Sequence, residues 1–449
     1  VRILVVSNLY PPVVVGGYEK RCAHTVQWLA RSHEVLVLTS RHGRRAVERE
    51  GRVPTSGHGR RVEGRVPTSG HGRQAQEREV RVVRELPFLS HSVAGALRAP
   101  LASLQAARTM RRLLREYRPD LVFVWNAAQI PRAVVAIACE AQCAVALSVA
   151  DPWLSAFVEG DQFLRHLQPG DRGLRRIWAG MLALLNRLPD LRVDLRSPRP
   201  VAIAWNSQAL REMTAVPPCL EAVRERVIHP ASRNEELFAG IERAPAPTPL
   251  IAFVGRIESE KAPDVACRAV ALLDERHGIQ ARLVFAGTGT KEALGELREL
   301  LGELGIERRV ELRGSLDANG VAELLAQAHA LVVPSRWQEP FGLVALEGAL
   351  ARVPIVASAS GGMPEMLSAE EEALFFAIDD IEGCAAALAR TLEDPEATAA
   401  RVARAHARAR TYSLERYRAD YEAFVEEALA SARSISRPQR STLTGGRPM

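Results

Sequence analysis

The chain has 449 residues, enough for two or three domains, with 47% hydrophobic and 25% charged residues, the balance of a soluble globular protein. Nowhere does an apolar run approach the roughly 20 residues needed to cross a bilayer, and the opening Val-Arg-Ile-Leu-Val-Val-Ser reads as a buried strand rather than a signal peptide. The net charge of +6 is local: residues 41–84 hold twelve Arg and five Glu, a surplus of seven, so everything else sums to −1. A basic groove with interleaved aromatics is not visible, which argues against nucleic acid as a partner. What remains is a solvated or anion-touching loop, with peripheral contact at an acidic membrane surface kept open.

Strands and helices alternate from the start. Residues 2–6 are an apolar run, followed by a loop with Pro11, Pro12, Gly16 and Gly17. A helical pattern covers Tyr18 to Ala30, and Val35 to Leu38 is the next strand. The basic insertion follows. Within it Glu-Gly-Arg-Val-Pro-Thr-Ser-Gly-His-Gly-Arg occurs at 50–60 and again at 63–73. Two copies are too few for a solenoid, and the composition reads as flexible loop; His58 and His71 form a candidate metal pair inside it. Alternation resumes at Val80–Val83, with a helix around 97–117, a strand at Asp120–Trp125, a helix over 130–141 and a strand over 143–149. The stretch 160–188 is helical, Val201–Trp205 a strand, Ser207–Thr214 a helix and Val227–Ile228 a short strand.

Glu242–Pro249 has three prolines in eight residues, a linker composition. A second series begins with a strand at Leu250–Val254 and a helix at Pro263–His277 that Gly278 stops. A strand at Arg282–Ala286 leads to an amphipathic helix with Leu294, Leu297, Leu301 and Leu304 on one face. Val310–Leu312, Ala330–Val333 and Pro354–Ala357 are further short strands, and Leu414–Ala430 is a helix. The expected architecture is α/β: two doubly wound parallel-sheet, Rossmann-like domains facing across a cleft. Their bounds are 1–241 (with the 41–84 insertion), a linker at 242–249, 250–412, a C-terminal helix at 413–430 and a disordered tail at 431–449. Ligands of such sheets bind beyond the carboxyl ends of the strands.

The candidate site residues all follow strands. Pro334-Ser335-Arg336-Trp337-Gln338-Glu339-Pro340-Phe341-Gly342-Leu343-Val344-Ala345-Leu346-Glu347 places two carboxylates eight positions apart, with Pro-Phe-Gly between them opening a helix. Free N–H groups at a helix start bind anions, and carboxylates accept paired hydroxyls. A nucleotide sugar carries both groups. Glu347 has a blander reading as a solvent-facing helix residue. Gly16 and Gly17 suit either close approach to a phosphate or a tight turn. Arg256, after Gly255, and Lys261 can neutralise a diphosphate, or be solvated partners of Glu258 and Glu260. Gly287-Thr288-Gly289 suits approach to a base or ribose, or a plain turn. With no Asp-x-Asp motif and no clustered His, Asp and Glu, no metal or other cofactor is expected. The six cysteines are scattered, Cys139 and Cys143 lacking the second pair a zinc site needs, which fits reduced thiols and the cytoplasm.

Together these motifs resemble the family-four retaining glycosyltransferases, the glycosyl transferases group 1 with the GT-B fold. The resemblance covers about residues 1–40 and 80–430 and rests first on the Glu339–Glu347 unit. It is supported by Gly255-Arg256 with Lys261, Gly287-Thr288-Gly289, Gly361-Gly362-Met363-Pro364-Glu365, and Pro11-Pro12 before Gly16-Gly17-Tyr18-Glu19. The resemblance implies that Arg256 and Lys261 hold the diphosphate of a UDP-, GDP- or other nucleotide-sugar donor. Glu339 would bind sugar hydroxyls beside the N–H groups of Phe341, Gly342 and Leu343; Glu347 would bind the ribose; Gly17 would approach the diphosphate. The C-terminal helix would cross back onto the first domain. The implied reaction is transfer of a hexosyl-type sugar, with retained configuration, to a hydroxyl of a glycan, a lipid-linked sugar or a small molecule. The location implied is cytoplasmic, including the inner face of a membrane.

The departures lie in the first domain. Many relatives carry histidines where this chain has Phe123-Val124-Trp125-Asn126, and His-Asp where it has Ala150-Asp151. Asn126 and Asp151 are the candidates for the acceptor side, Asp151 equally as a helix cap before Pro152. A nucleotide-sugar 2-epimerase of the same fold and a non-catalytic nucleotide-sugar binding protein are the alternative readings.

Overall fold

The computed structural model describes residues 1–14, 17–42, 63–65, 80–89, 93–157, 173, 176–177, 180, 199–218 and 220–435. Gly16, His58, His71, most of the 41–84 insertion, most of 160–188 and the tail beyond 435 lie outside the described residues. The chain forms two compact units. Unit 1 comprises Val1–Trp205, Thr214–Arg226 and Asp420–Met449; unit 2 comprises Asn206–Met213 and Val227–Ala419.

Unit 1 is built on strands β1 (Arg2–Ser7), β2 (Glu34–Ser40), β3 (Glu63–Arg65), β4 (Arg81–Leu86), β5 (Leu121–Asn126), β6 (Ala144–Val149), β7 (Arg199–Trp205) and β8 (Leu220–Val227). Their spatial order is β3-β4-β2-β1-β5-β6-β7-β8. The run from β4 to β7 is parallel, as βαβ crossovers require. Ile3, Leu4, Val5 and Val6 are all fully buried, so both faces of β1 are covered. The order reverses at β1, which puts the switch point of this sheet at the carboxyl ends of β1 and β5. There the N–H of Asn8 donates to the carbonyl of Asn126 at 2.9 Å.

Two features of unit 1 differ from the sequence reading. Residues 63–65, the start of the second repeat copy, pair antiparallel with β4 rather than forming loop, and so cover an edge that would otherwise present unpaired backbone groups. The last helix runs Leu414–Ile435, five residues past 430. Its part from Asp420 onward belongs to unit 1. Tyr421 Oη meets Ser148 Oγ at 2.9 Å, Phe424 is fully buried, and Arg226 pairs with Asp420 at 2.9 Å and Glu427 at 3.0 Å.

Unit 2 carries β9 (Leu250–Val254), β10 (Arg282–Ala286), β11 (Val310–Leu312), β12 (Ala330–Val333), β13 (Ile355–Ser358) and β14 (Leu374–Phe376), all parallel, in the order β11-β10-β9-β12-β13-β14. The period-2 alternation of a strand divides each one between two cores. Ile251, Phe253, Leu283 and Phe285 face the helices Pro263–His277, Lys291–Leu304 and Ile381–Glu393. Leu250, Ala252, Val284 and Ala286 face the helices Ala318–Gln327, Leu343–Leu350 and Pro395–Ala409. The Pro-rich stretch 242–249 has no helix or strand, yet it is held down. Ala244 and Ala246 N–H donate to the carbonyls of Ala326 and Gln327, and the Arg243 guanidinium caps the carbonyls of Leu325, Ala326 and Ala328 at the end of that helix.

Among the described residues no helix is long and apolar enough to cross a membrane, and no group of three or more His, Cys, Asp or Glu could hold a metal ion. Cys22, Cys143, Cys267 and Cys384 are free thiols, all but Cys143 buried.

Candidate functional site

In unit 2 the strand order reverses at β9, between β10 and β12, so the loops leaving β9 and β12 flank the switch point. The β9 loop carries Gly255, Arg256 and Lys261; the β12 loop carries Ser335 through Gly342. Lys261 Nζ and Glu339 Oε1, 78 positions apart in sequence, form an ion pair at 2.5 Å. Ser335 Oγ donates to the same carboxylate oxygen at 2.8 Å. The Glu339 side chain is 14% exposed and that of Lys261 23%, so this pair is partly desolvated yet reachable.

The β12 loop is held by its main chain. Gly362 N–H donates to Glu339 O at 2.7 Å, Gly361 N–H to Gln338 Oε1 at 2.9 Å, and Glu339 N–H to Ser360 Oγ at 3.3 Å. The N–H groups of Arg336 and Trp337 both donate to Glu260 O at 2.9 Å, which ties this loop to the β9 loop. The Arg336 guanidinium spans Asp264, at 2.6 and 2.8 Å, and Asp379. Burial works to raise the Asp264 pKa, but the hydrogen bonds and charge of Arg336 outweigh it and hold the carboxyl below its ordinary range.

A pH-dependent test follows from that depressed value. The interaction stabilises the fold above the unfolded-state pKa of 3.8 and is lost as pH falls through the lower folded-state value. Asp264→Asn should therefore lower stability at pH 7 by about 1–2 kcal/mol, discounted for its partial exposure. The difference from wild type should shrink as pH drops below about 4. Chemical denaturation at pH 7 and pH 3.5 checks this, and a gap that widens on acidification contradicts it.

Beyond the loop, Gly342 heads the helix Leu343–Leu350, whose first internal bond is Leu346 N–H to Gly342 O at 3.1 Å. The N–H groups of Leu343, Val344 and Ala345 therefore precede the helical ladder and point out of its positive end. Phe341 is buried at 2% exposure. Glu347 is half-buried and accepts a bond from Ser232 Oγ at 2.9 Å, so it does not simply face solvent. Arg256 is exposed and paired with Glu260 in the same loop. The glycines of Gly287-Thr288-Gly289 have a reason the sequence did not suggest. A Cβ on Gly287 would meet Gly255 O at 1.7 Å, and one on Gly289 would meet Ile257 O at 2.2 Å. They let this loop pack against the β9 loop, with Ile257 N–H donating to Thr288 O at 2.9 Å.

His229 and Glu365 escaped the sequence reading as site residues. His229 Nε2 lies 2.6 Å from Glu365 Oε1, and the imidazole packs 5.4 Å from the ring of Phe341. Ser335 and Ser360, which hold Glu339, were equally unmarked. No local pattern joins such positions; only the strand order does.

In unit 1, Gly17 opens the helix Gly17–Ser32. Asn126, at the end of β5, donates through Nδ2 to Asp151 Oδ2 at 3.2 Å, and its Oδ1 accepts Ala128 N–H at 2.6 Å. Asp151 Oδ1 also accepts Trp153 N–H at 2.9 Å, the cap of the short 3-10 helix Pro152–Phe157. Burial raises the Asp151 pKa, and the bonds from Trp153 and Asn126 offset only part of that rise. The two candidate acceptor residues are thus one hydrogen-bonded pair, and Asp151 is also a cap.

Comparison with known proteins bears on this arrangement. Residues 234–409 match the family described as glycosyl transferases group 1. A D-inositol 3-phosphate glycosyltransferase of Mycolicibacterium paratuberculosis is 36% identical over 206 residues, 43% of this chain and 45% of that protein. The match therefore spans less than half the length of that relative. A glycogen synthase of Mycobacterium tuberculosis is 29% identical over 98% of this chain and 97% of its own. The solved structure of Anabaena HepE in complex with UDP-glucose superposes with a TM-score of 0.59 at 17% identity, over 96% of this chain and 99% of that one. The family match thus lies within unit 2, including a short segment before its first strand, and the two doubly wound sheets have the GT-B fold.

Proposed function

We propose that this chain is a retaining glycosyltransferase that moves a hexosyl-type sugar from a nucleotide-sugar donor to an acceptor hydroxyl without a metal ion. The observation that carries the reading is the Glu339–Lys261–Ser335 cluster beside the start of the helix Leu343–Leu350. The Glu339 carboxylate and the Lys261 ammonium satisfy each other. A donor would separate their tasks. Its sugar hydroxyls would take the Glu339 carboxylate, and its diphosphate would take Lys261 and the N–H groups at the helix start. Arg256 would exchange Glu260 for phosphate, and Glu347, already oriented by Ser232, would take the ribose hydroxyls.

Bond cleavage at C1 would then leave negative charge on the diphosphate, which these cations and N–H dipoles would stabilise. The acceptor oxygen bonds to C1, the C1–phosphate bond breaks, and the acceptor proton passes to the departing phosphate oxygen. Asn126 and Asp151 would be the residues that bind the acceptor. The relatives suggest the first reagents: UDP-glucose as donor, with a phosphorylated cyclic polyol among the acceptors.

The test is release of free nucleotide from a panel of UDP- and GDP-sugars, with and without candidate acceptors. Acceptor-dependent release with retained anomeric configuration is the expected result. Conversion of a donor to its epimer with no acceptor product would replace the proposal by the epimerase reading. Binding of every donor with no turnover would leave a binding protein. A second measurement addresses charge: Lys261→Met should weaken UDP about tenfold and leave uridine unchanged in calorimetric titration. Equal losses for UDP and uridine would remove Lys261 from the diphosphate.

A further inference from the structure

Segments that make none of the proposed donor contacts converge on the loop that does. Glu365 lies in the short helix Met363–Met366. Its carboxylate accepts the N–H of Gln208 at 2.8 Å and of Ala209 at 3.1 Å, and it faces His229 Nε2 at 2.6 Å. Burial works to raise its pKa, yet the bonds from Gln208, His229 and Ala209 win and hold it below the ordinary range. An ionised carboxylate can only accept, so Nε2 of His229 carries the proton in this contact.

The same imidazole completes a three-ring cluster. It lies 5.4 Å from Phe341 at 33° and 5.5 Å from Tyr412 at 84°, while Phe341 and Tyr412 meet edge-on at 5.2 Å. Phe341 stands two positions after Glu339 and two before Leu343. The other arm of the pair reaches Glu339 from the opposite direction. The turn leading into Glu365 contains Gly361 and Gly362, whose N–H groups hold Gln338 and the carbonyl of Glu339. One hydrogen-bonded pair thus grips both flanks of the β12 loop.

We infer that His229 and Glu365 are positioning residues for Glu339 and for the first turn of the helix Leu343–Leu350. The inference rests on the donor role proposed for that loop and names what sets its pitch. A shift of Phe341 would carry the Glu339 carboxylate and the helix-start N–H groups together. Misplacing such groups by about 1 Å costs about 100-fold in rate. A purely structural cap would behave differently. Its loss would lower the melting temperature and leave turnover intact wherever the protein remained folded.

The experiment compares wild type, His229→Ala and His229→Gln in the full chain. Amide hydrogen exchange in 338–343 and 360–366, read by mass spectrometry without substrate, is the first arm. kcat and KM with UDP-glucose are the second. His229→Ala should speed exchange in those two stretches about tenfold while β9 and β10 keep their protection, and should lower kcat about 100-fold at full foldedness. Gln retains an N–H for Glu365 and should recover kcat to within about tenfold of wild type. Unchanged exchange in both stretches, a kcat within about twofold in the Ala variant, or a Gln variant no better than Ala would each overturn the inference. If wild type turns over no nucleotide sugar, the donor reading fails instead, and the exchange arm still reports on the grip.

Discussion

Glu339→Ala should lower transfer by about 1000-fold while the fold stays in place. The carboxylate is the one acidic group on the β12 loop that faces both a cation and a hydroxyl, Lys261 and Ser335. Removing it takes away the acceptor for donor hydroxyls and leaves a partly buried ammonium without its partner. The second loss costs about 1–3 kcal/mol of stability. That is tolerable because the loop does not hang on this side chain. Its backbone is held by Gly362 N–H to Glu339 O, by Glu339 N–H to Ser360 Oγ, and by the Arg336 and Trp337 N–H groups on Glu260 O. Far-ultraviolet circular dichroism should therefore match wild type while kcat collapses. Glu339→Gln separates charge from shape: it keeps an acceptor for Ser335 and loses the ion pair, so it should fall between the two. Near-normal transfer in the Ala variant would remove Glu339 from the chemistry.

How far the sequence could lead to this point depends on the range of the interactions. The strands at Leu250–Val254, Arg282–Ala286, Val310–Leu312 and Ala330–Val333 and the helix Pro263–His277 stand where their apolar runs and bounding Gly and Pro residues place them. β8 was read as only Val227–Ile228, because Glu221, Arg224, Glu225 and Arg226 hide it. It is an edge strand, and charges on edge strands discourage pairing with other chains. β14 lies inside the apolar run Ala373–Ile378 and was not singled out as a strand. The helix Pro395–Ala409 was missed because its Ala and Arg residues give little apolar contrast.

The candidate site divides along the same line. Glu339, Lys261 and Arg256 were visible because each follows a strand, and doubly wound sheets put ligands there. That Lys261 pairs with Glu339 required knowing that β9 and β12 are neighbours, which is a fact of topology. His229 and Glu365 are 136 positions apart and carry no shared motif. Gly287 illustrates a reading that was local and incomplete. A turn or a ligand approach explains a glycine equally well, and only the β9 loop at 1.7 Å from its missing Cβ supplies the reason.

Gly361→Ala is the substitution that should damage both stability and transfer most directly. The residue has φ near +55°, a left-handed conformation that costs an L-residue about 1–2 kcal/mol. Space is the larger problem. An added Cβ would lie 2.1 Å from Glu339 O and 2.6 Å from Glu339 N, both main-chain atoms that no rotamer change can move aside. Relief requires the β12 loop to separate from the 361–362 turn, which breaks the 2.7 Å bond from Gly362 N–H to Glu339 O. The expected loss is about 3 kcal/mol, or a fall in melting temperature of about 6–12 °C for a unit of this size. Transfer should fall about 100-fold even at temperatures where the variant is fully folded, because the carboxylate moves with the loop. Gly305→Ala supplies the control. Its φ of +63° imposes the same backbone strain, but no atom lies within 4 Å of the added Cβ. That variant should lose only the strain energy and keep normal kcat. The gap between the two variants measures the contact between the turn and Glu339 alone. If both lose stability equally and both remain active, the turn does not set the position of the carboxylate.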